Sequence, residues 1–344
     1  MLAWRSHIEG AVQIVKIRGR SQLCKTRTGA LLFNGVRHHL VSISAEQIKT
    51  RNCTDHDTLQ ISRILSMGIQ PPMGVDWWME AGDAESLLAI GQRFALRAGD
   101  LRAKASQLLA SSARTTESVE LMLEMARRLQ SLDREIATWL DRIPAKFRAE
   151  TLCWVDSQEL DVPNSKDYSL AEVFPGRVDV YPDFVTASAW NLARVLRLFL
   201  ASVNIRIAAW LSFPADYHVT AEYATSKVIC EEVIIDIIAS VPYNLGWHVR
   251  REGVFRNRTE LSGFACGEEA PFKSLPAYFL LWPLTCIKNH DLATDDQRAW
   301  VKGRLKFIEE QVGLKYARIV NDVSPATTCC FNVANALTTT QIAG

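Results

Sequence analysis

The stretch from Tyr181 to Gly246 decides the fold, and it reads YPDFVTASAWNLARVLRLFLASVNIRIAAWLSFPADYHVTAEYATSKVICEEVIIDIIASVPYNLG. Apolar residues recur in it at spacings of three and four, which predicts two long helices joined by a loop at Ser212–Tyr217. In the first helix the apolar side chains cover most of the circumference, so we expect it to be largely buried. They are Val185, Trp190, Leu192, Leu196, Phe199, Leu200, Val203, Ile207 and Trp210.

The second helix of this pair has its own apolar face, formed by Val228, Ile229, Val233, Ile234, Ile237 and Ile238. We predict that the helix ends at Ser240–Pro242, because proline lacks an amide donor and disfavours a helical conformation in the residue before it. Two helices this apolar need other elements to bury them. The pair therefore predicts the core of a helical protein.

Amphipathic patterns on both sides of the pair predict further helices. Thr294 and Gln297 match a capping box at the start of one of them, and Gly313 is a suitable residue for its end. The predicted helices are 4–18, 83–110, 115–141, 294–313 and 315–322.

The segment 147–182 lacks a helical period and contains Pro163, Pro175 and Pro182. It predicts an extended connector with one or two short strands near Val178–Tyr181. The whole pattern predicts the all-α class, as a single large irregular helical domain with long buried central helices. This domain covers residues 1–322, with a candidate internal boundary at 147–182 and a C-terminal tail at 323–344 that frays.

The composition excludes some classes of function. The chain has 344 residues and a net charge of +1, so its overall charge does not favour nucleic acid. Eight cysteines without a Cys-x-x-Cys pair are typical of reduced thiols in an intracellular soluble protein. The longest apolar run, Tyr278–Ile287, is too short to cross a bilayer, so we expect no membrane segment.

The usual catalytic and metal-binding motifs are absent from the sequence. There is no Gly-x-Gly or P-loop for phosphates, no His-Glu-x-x-His, no Gly-x-Ser-x-Gly and no paired-cysteine zinc motif. The neighbouring acids Glu231–Glu232 and Asp295–Asp296 point apart on a helix. We therefore predict no catalytic residue, no metal site and no cofactor in this chain, and classify it as a non-enzyme.

Five motifs, in this order, resemble a known family. They are Trp4-x-x-His7-Ile8-x-Gly10-Ala11, Leu132-Asp133-x-x-Ile136-x-x-Trp139, Ala189-Trp190-Asn191-x-x-Arg194, IASVPYNLG at Ile238–Gly246, and YFLLWPL at Tyr278–Leu284 followed by QRAWVKGRL at Gln297–Leu305. Together they resemble the C-terminal regulatory region, the fungal-specific transcription factor domain, of fungal zinc binuclear cluster transcription factors. The resemblance extends from Trp4 to about Ala317.

The resemblance implies an all-helical nuclear domain that regulates transcription by sensing a partner protein or a small molecule. It implies contact with the transcription machinery, self-association or a small-molecule effector as the partner. In that family a module with six cysteines and two zinc ions contacts DNA, and no cysteine precedes Cys24 here. We therefore expect a truncated N-terminus or a stand-alone relative, and no direct DNA contact by this chain.

If a small molecule binds, we expect it between the two central helices and the Tyr278–Leu284 segment. The candidate ligand-binding residues are Trp190, Asn191, Arg194, Tyr243 and Trp282. The alternative for each is a structural role, with the tryptophans in packing and Asn191 and Arg194 bound to the helix end at Pro242.

A second function is a stand-alone relative that reuses the helical scaffold as a small-molecule-binding protein or an enzyme. A polar pocket in which His7, His218 or His248 faces a carboxylate would favour this function. A dry, fully packed interior would favour the regulatory one.

Overall fold

The computed structural model describes residues 14, 17–18, 87–111, 113–157, 168–247 and 274–322. These residues form mainly helices, which confirms the all-α class. The helices are α1 (Leu87–Ser111), α2 (Thr116–Asp141), α3 (Phe184–Ser212), α4 (Ala221–Asn244), α5 (Ser274–Lys288), α6 (Asp295–Glu310) and α7 (Tyr316–Asp322). A two-stranded antiparallel sheet, β1 (Glu150–Val155) and β2 (Gly176–Val180), accompanies them.

The central pair is α3 and α4, which pack along each other and share the main core with α1, α2 and α5. In α3, 22 of the 29 residues are buried, as predicted from its apolar circumference. Asp183 begins the helix, since its carboxylate accepts a hydrogen bond from the amide of Thr186 at 2.7 Å. By length and composition α3 could cross a membrane, but 78% of its most apolar window is buried inside the fold, as in a soluble protein's core helix.

The predicted end of α4 at Ser240–Pro242 is wrong. The helix continues through Pro242 to Asn244. Proline in the last turn removes one amide donor, whereas Ile237, Val241 and Tyr243 around it are buried and hold that turn against α3. At its other end α4 begins after Thr220, so the loop to α3 extends beyond the predicted Ser212–Tyr217.

The flanking helices follow their local signals. The side chain of Thr115 accepts from the amide of Ser118 at 3.2 Å and caps α2 where the sequence predicted its start. Thr294 and Gln297 form the predicted capping box of α6: the Thr294 hydroxyl accepts from the Gln297 amide at 3.1 Å, and the Gln297 side chain accepts from the Thr294 amide.

The segment 147–182 supplies both strands of the sheet. The predicted strand near Val178–Tyr181 is confirmed as β2, whereas β1 was missed because its sequence has no clear alternation. β2 packs against α4, and small apolar clusters form around Tyr181 and Trp247. The hairpin is thereby attached to the helical pair.

Several predictions lie outside the described residues or touch them only in part. In the predicted helix 4–18, positions 14, 17 and 18 are described and helical. The start of the predicted helix 83–110, the histidines His7 and His248, and the tail 323–344 lie outside.

Gly303 lets the connector cross α6 at close range. A Cβ atom at this position would lie 1.8 Å from the carbonyl oxygen of Ser169, in the short 3-10 helix Tyr168–Leu170. Nearby, the indole N–H of Trp300 donates to the carbonyl of Ala171 at 3.0 Å. The connector backbone therefore lies directly on α6.

A polar contact inside the core joins α3 to the end of α5. Nε2 of His290 lies 3.0 Å from the Ser202 hydroxyl, while its Nδ1 accepts from the amide of Leu292 at 3.1 Å. Because Nδ1 is an acceptor, the network assigns the proton to Nε2, and Ser202 donates onward to the carbonyl of Leu198. Burial, together with the positive charge of Arg298, lowers the pKa of His290 to about 3.

Replacing Gly303 with alanine tests the close crossing. Alanine ordinarily stabilises a helix interior by about 1 kcal/mol relative to glycine. Here we expect Gly303→Ala to lower the free energy of unfolding by about 1–3 kcal/mol, because the methyl group forces the connector off α6. Urea unfolding measures this, with the exposed neighbour Lys302→Ala as control. A stabilised Gly303→Ala protein would contradict the crossing.

The buried histidine predicts acid sensitivity. The folded pKa of His290, about 3, is below the unfolded value of 6.5. The unfolded chain therefore binds more protons between these values, and stability falls as the pH falls below 6.5. Between pH 7 and 5, His290 should contribute a loss of about 2 kcal/mol that His290→Gln removes. Urea unfolding at both pH values checks this. Leu121→Ser, which changes an exposed side chain without a titratable group, should keep the wild-type slope. An unchanged slope in His290→Gln would contradict the prediction.

Candidate functional site

Four of the five candidate ligand-binding residues meet at one place, where α3, α4 and the end of β2 come together. Trp190, Asn191 and Arg194 lie on consecutive turns at the start of α3, and Tyr243 lies in the last turn of α4. Asn191, Arg194 and Tyr243 are buried, and Trp190 is half-buried. The tertiary structure thus brings together residues that are about fifty positions apart in the chain.

Arg194 is the centre of this group and is only 3% exposed. Its Nη1 donates to the hydroxyl of Tyr181 at 2.6 Å and to the side-chain oxygen of Asn191 at 3.2 Å. Its guanidinium also lies 5.4 Å from the ring centroid of Trp190 and 5.8 Å from that of Tyr181. The positive charge is therefore enclosed by two aromatic rings and two polar side chains.

Asn191 extends the network to α4. Its amide nitrogen donates to the hydroxyl of Ser240 at 2.9 Å, and that hydroxyl donates to the carbonyl of Ile237 at 2.7 Å. Asn191 therefore contacts a side chain two residues before Pro242. The predicted alternative, a structural role for Asn191 at the helix end near Pro242, therefore holds in part, because Asn191 binds the last turns of α4.

The aromatic members close the group on both sides. The indole N–H of Trp190 donates to the carbonyl of Phe147 at 2.9 Å, which attaches α3 to the turn before β1. The ring of Tyr243 packs against that of Tyr181, with centroids 5.5 Å apart. Burial raises the pKa of Tyr181, against the opposing effect of the Arg194 charge, so its phenol is neutral.

A line of alternating charges connects this group to the hairpin. Asp236 of α4 lies 3.6 Å from Nε of Arg194 and binds Arg177 of β2 at 2.5 Å through its other oxygen. Arg177 also pairs with Asp179 at 2.8 Å, and Asp179 accepts from the hydroxyl of Thr151 in β1. Burial alone lowers the pKa of Arg177, but its bonds to the two carboxylates outweigh this, so its pKa is raised.

The chemistry of this network suits a structural role, in which it holds the hairpin against α3 and α4. Two arginines face two aspartates, so their charges balance, and their polar atoms bind each other. Asp236, with a side chain 37% exposed, and Arg177, at 26%, form its solvent-facing rim. Ligand binding by the four residues stays a prediction, and Nη1 of Arg194 is already occupied by Tyr181 and Asn191.

Trp282 belongs to a different cluster. It lies on α5 in the main core, where its ring stacks on that of Phe199 at 5.8 Å and 25°. The guanidinium of Arg102 lies 5.0 Å from the centroid of the same Phe199 ring. The five candidates therefore divide between two clusters, since Trp190 and Tyr243 pack around Tyr181.

Sequence reasoning missed Tyr181, Arg177, Asp236 and Ser240. A signal existed for two of them: Asp236 and Ser240 are four residues apart in an otherwise apolar stretch, as Asn191 and Arg194 are three apart in the facing helix. Polar pairs at such spacings share one face of a helix and predict a polar contact between the two helices. Arg177 and Tyr181 join the site only because the hairpin packs against the helices, and no local sequence pattern indicates where the hairpin packs.

One histidine faces a carboxylate, as the enzyme hypothesis requires. Nδ1 of His218 lies 2.6 Å from the carboxylate of Asp216, and hydrogen bonds from the backbone and side chain of His218 lower the pKa of Asp216. Both side chains are more than half exposed and lie in the loop before α4. In the part of the chain that the structure describes, no group of three or more His, Cys, Asp or Glu residues could hold a metal ion.

Comparison with known proteins finds one kind of similarity. The chain is 22% identical over 191 residues to transcription factor dbaG of Emericella nidulans. The match covers 54% of this chain and 40% of dbaG, so it spans less than half the length of that relative. No family model and no solved structure matches the chain. The similarity supports a relationship to a fungal transcription factor.

Proposed function

We propose that this chain is the regulatory region of a fungal transcription factor, and that it acts in the nucleus through partner proteins. The similarity to dbaG over 191 residues is the observation that carries the proposal. Four of the five motifs that resemble the fungal regulatory domain contribute to its core: Leu132–Trp139 in α2, Ala189–Arg194 in α3, Ile238–Gly246 at the end of α4, and Tyr278–Leu284 with Gln297–Leu305 in α5 and α6. Apolar side chains of these motifs pack in the core of the fold.

The charge of the chain supports action through proteins. A net charge of +1 over 344 residues provides no general attraction to DNA phosphates. Recognition of DNA is accordingly assigned to a separate module, as the resemblance implies. The small-molecule effector that the resemblance also implies stays a prediction.

The network around Arg194 is evidence that this part of the interior has a structural role and is not a ligand site. Its hydrogen bonds and ion pairs attach the hairpin to α3 and α4. A packed interior favours the regulatory function over a stand-alone small-molecule site or an enzyme. In this proposal regulation therefore takes place at the surface of the helical fold.

The structural role of Arg194 is tested by Arg194→Met. The substitution removes the donor to the buried hydroxyl of Tyr181 and one of the two donors to the side-chain oxygen of Asn191, the other being the Ser240 hydroxyl. We expect the free energy of unfolding to fall by about 1–3 kcal/mol in urea unfolding experiments. Arg127→Met is the matched control, because the ion pair of Arg127 with Glu124 is exposed, and it should change stability by less than about 0.5 kcal/mol. Equal effects of the two substitutions would contradict the structural role.

Regulatory function is tested by fusing the chain to an unrelated DNA-binding domain in a fungal host with a reporter gene. If the chain recruits a partner with a binding free energy of about 1.4 kcal/mol, we expect reporter output to change about tenfold relative to the DNA-binding domain alone. Arg127→Met should retain this change, and Arg194→Met should reduce it in proportion to lost folded protein. A fusion that accumulates in the nucleus and leaves the reporter unchanged would refute the proposal.

A further inference from the structure

We infer that the solvent-facing side of α4 binds an amphipathic helix of a partner protein, one whose apolar face is bordered by lysine or arginine. We name this side the outer stripe of α4. All its residues are exposed, and they are Ala221, Ala224, Thr225, Val228, Glu231, Glu232 and Ile235.

The outer stripe is continuous. At 3.6 residues per turn its members fall within about 120° of the helix circumference. From Ala221 to Ile235 the stripe is about 21 Å long, which is four turns. Five of its positions alternate in steps of four and three, the spacing with which one helix lies along another. A partner helix of about four turns therefore matches its length.

The apolar part of the outer stripe is larger than folding requires. The opposite side of α4 already packs on α3 through Cys230, Val233 and Ile237. Val228 and Ile235, two turns apart, are nevertheless each 50% exposed, and Val219 just before the helix is 83% exposed. Single exposed apolar residues are ordinary, whereas apolar residues at positions i and i+7 on one line are the anchors of helix docking.

The charge around the stripe selects the partner. α4 has four acidic residues, Glu222, Glu231, Glu232 and Asp236, and one basic residue, Lys227. Asp236 is neutralised by Arg177, and Lys227 lies 3.8 Å from Glu231. Glu222 and Glu232 add further negative charge beside the apolar residues. A basic border on the partner complements this charge.

The same charge disfavours a second copy of the chain. If α4 paired with α4 of another copy, Glu222 and Glu232 of both helices would be brought together. Like charges across an interface lower affinity and exclude that partner. Charge complementarity therefore favours a basic amphipathic helix over self-association through this surface.

This inference goes beyond the proposed function and does not depend on it. Binding of a helix to the outer stripe is measured on the purified full chain, whereas regulation is measured with a reporter in cells. Failure of one experiment leaves the other unaffected.

The probes are two designed helical peptides of about 18 residues, which cover about five turns. Both carry the same leucine face; lysines border it in one and glutamates in the other. By fluorescence anisotropy with the full chain, we expect the lysine peptide to bind at least about tenfold more tightly. This preference should shrink when the salt concentration is raised from 50 mM to about 0.5 M, because ions screen exposed charges.

Two double variants of the outer stripe separate its apolar and charged parts. Val228→Ser with Ile235→Ser should weaken binding of the lysine peptide by about tenfold or more. Glu231→Lys with Glu232→Lys should reverse the preference, so that the glutamate peptide binds more tightly. Because all four side chains are exposed, both variants should stay folded with the wild-type circular dichroism. The serine variant should melt slightly lower, because half of each replaced side chain is buried. A reversed peptide preference would itself show that the variant is folded, because unfolded protein would bind neither peptide specifically.

Matched controls lie on other helices. Leu121→Ser with Leu123→Ser changes two side chains of α2 that are 46% and 45% exposed. Glu309→Lys with Glu310→Lys reverses an adjacent acidic pair at the end of α6. Both controls should bind the lysine peptide as the wild type does. Equal binding of the two peptides, or equal losses in the controls, would overturn the inference. So would a dimer of the chain that Val228→Ser with Ile235→Ser dissociates, because the stripe would then join two copies.

Discussion

Burial of α3 governs how the other helices are arranged. A helix with 22 buried residues out of 29 cannot leave a side to solvent, so other elements must surround it. In the described part of the chain α1, α2, α4 and α5 do so. The lengths of α1, α2 and α4 follow from this, because each must cover a helix of about 44 Å. The need to cover α3 concerns which helices contact it and does not depend on the order of those helices along the chain.

Arg194 places a positive charge inside this apolar arrangement. An isolated buried charge would cost several kcal/mol, and aromatic rings, hydrogen bonds and a carboxylate offset that cost here. The partners come from three separate parts of the chain: Tyr181 after β2, Asn191 in α3 and Asp236 in α4. One arginine therefore couples the hairpin to both central helices, and the position of the hairpin depends on it.

The interior and the surface of α4 have different roles in the proposed function. The inner side of the helix contributes to the core and, through Ser240 and Asp236, to the network around Arg194. The outer stripe combines exposed β-branched residues with acids and has no role in that packing. A rigid helix fixed from within presents such residues in a constant geometry, which lowers the entropy that a partner loses on binding.

The helical class, the central pair, the start of α2 near Thr115 and the capping box at Thr294 can be predicted from the sequence. These depend on spacing and on neighbours within four residues, which are visible in the chain. Tertiary structure alone decided that α4 continues through Pro242, that β1 forms, and that Trp282 packs apart from Trp190. It also decided the partners of Arg194. The physical reason is that contacts between distant segments depend on how the helices pack, and packing energy exceeds the local preference of a proline or a short strand.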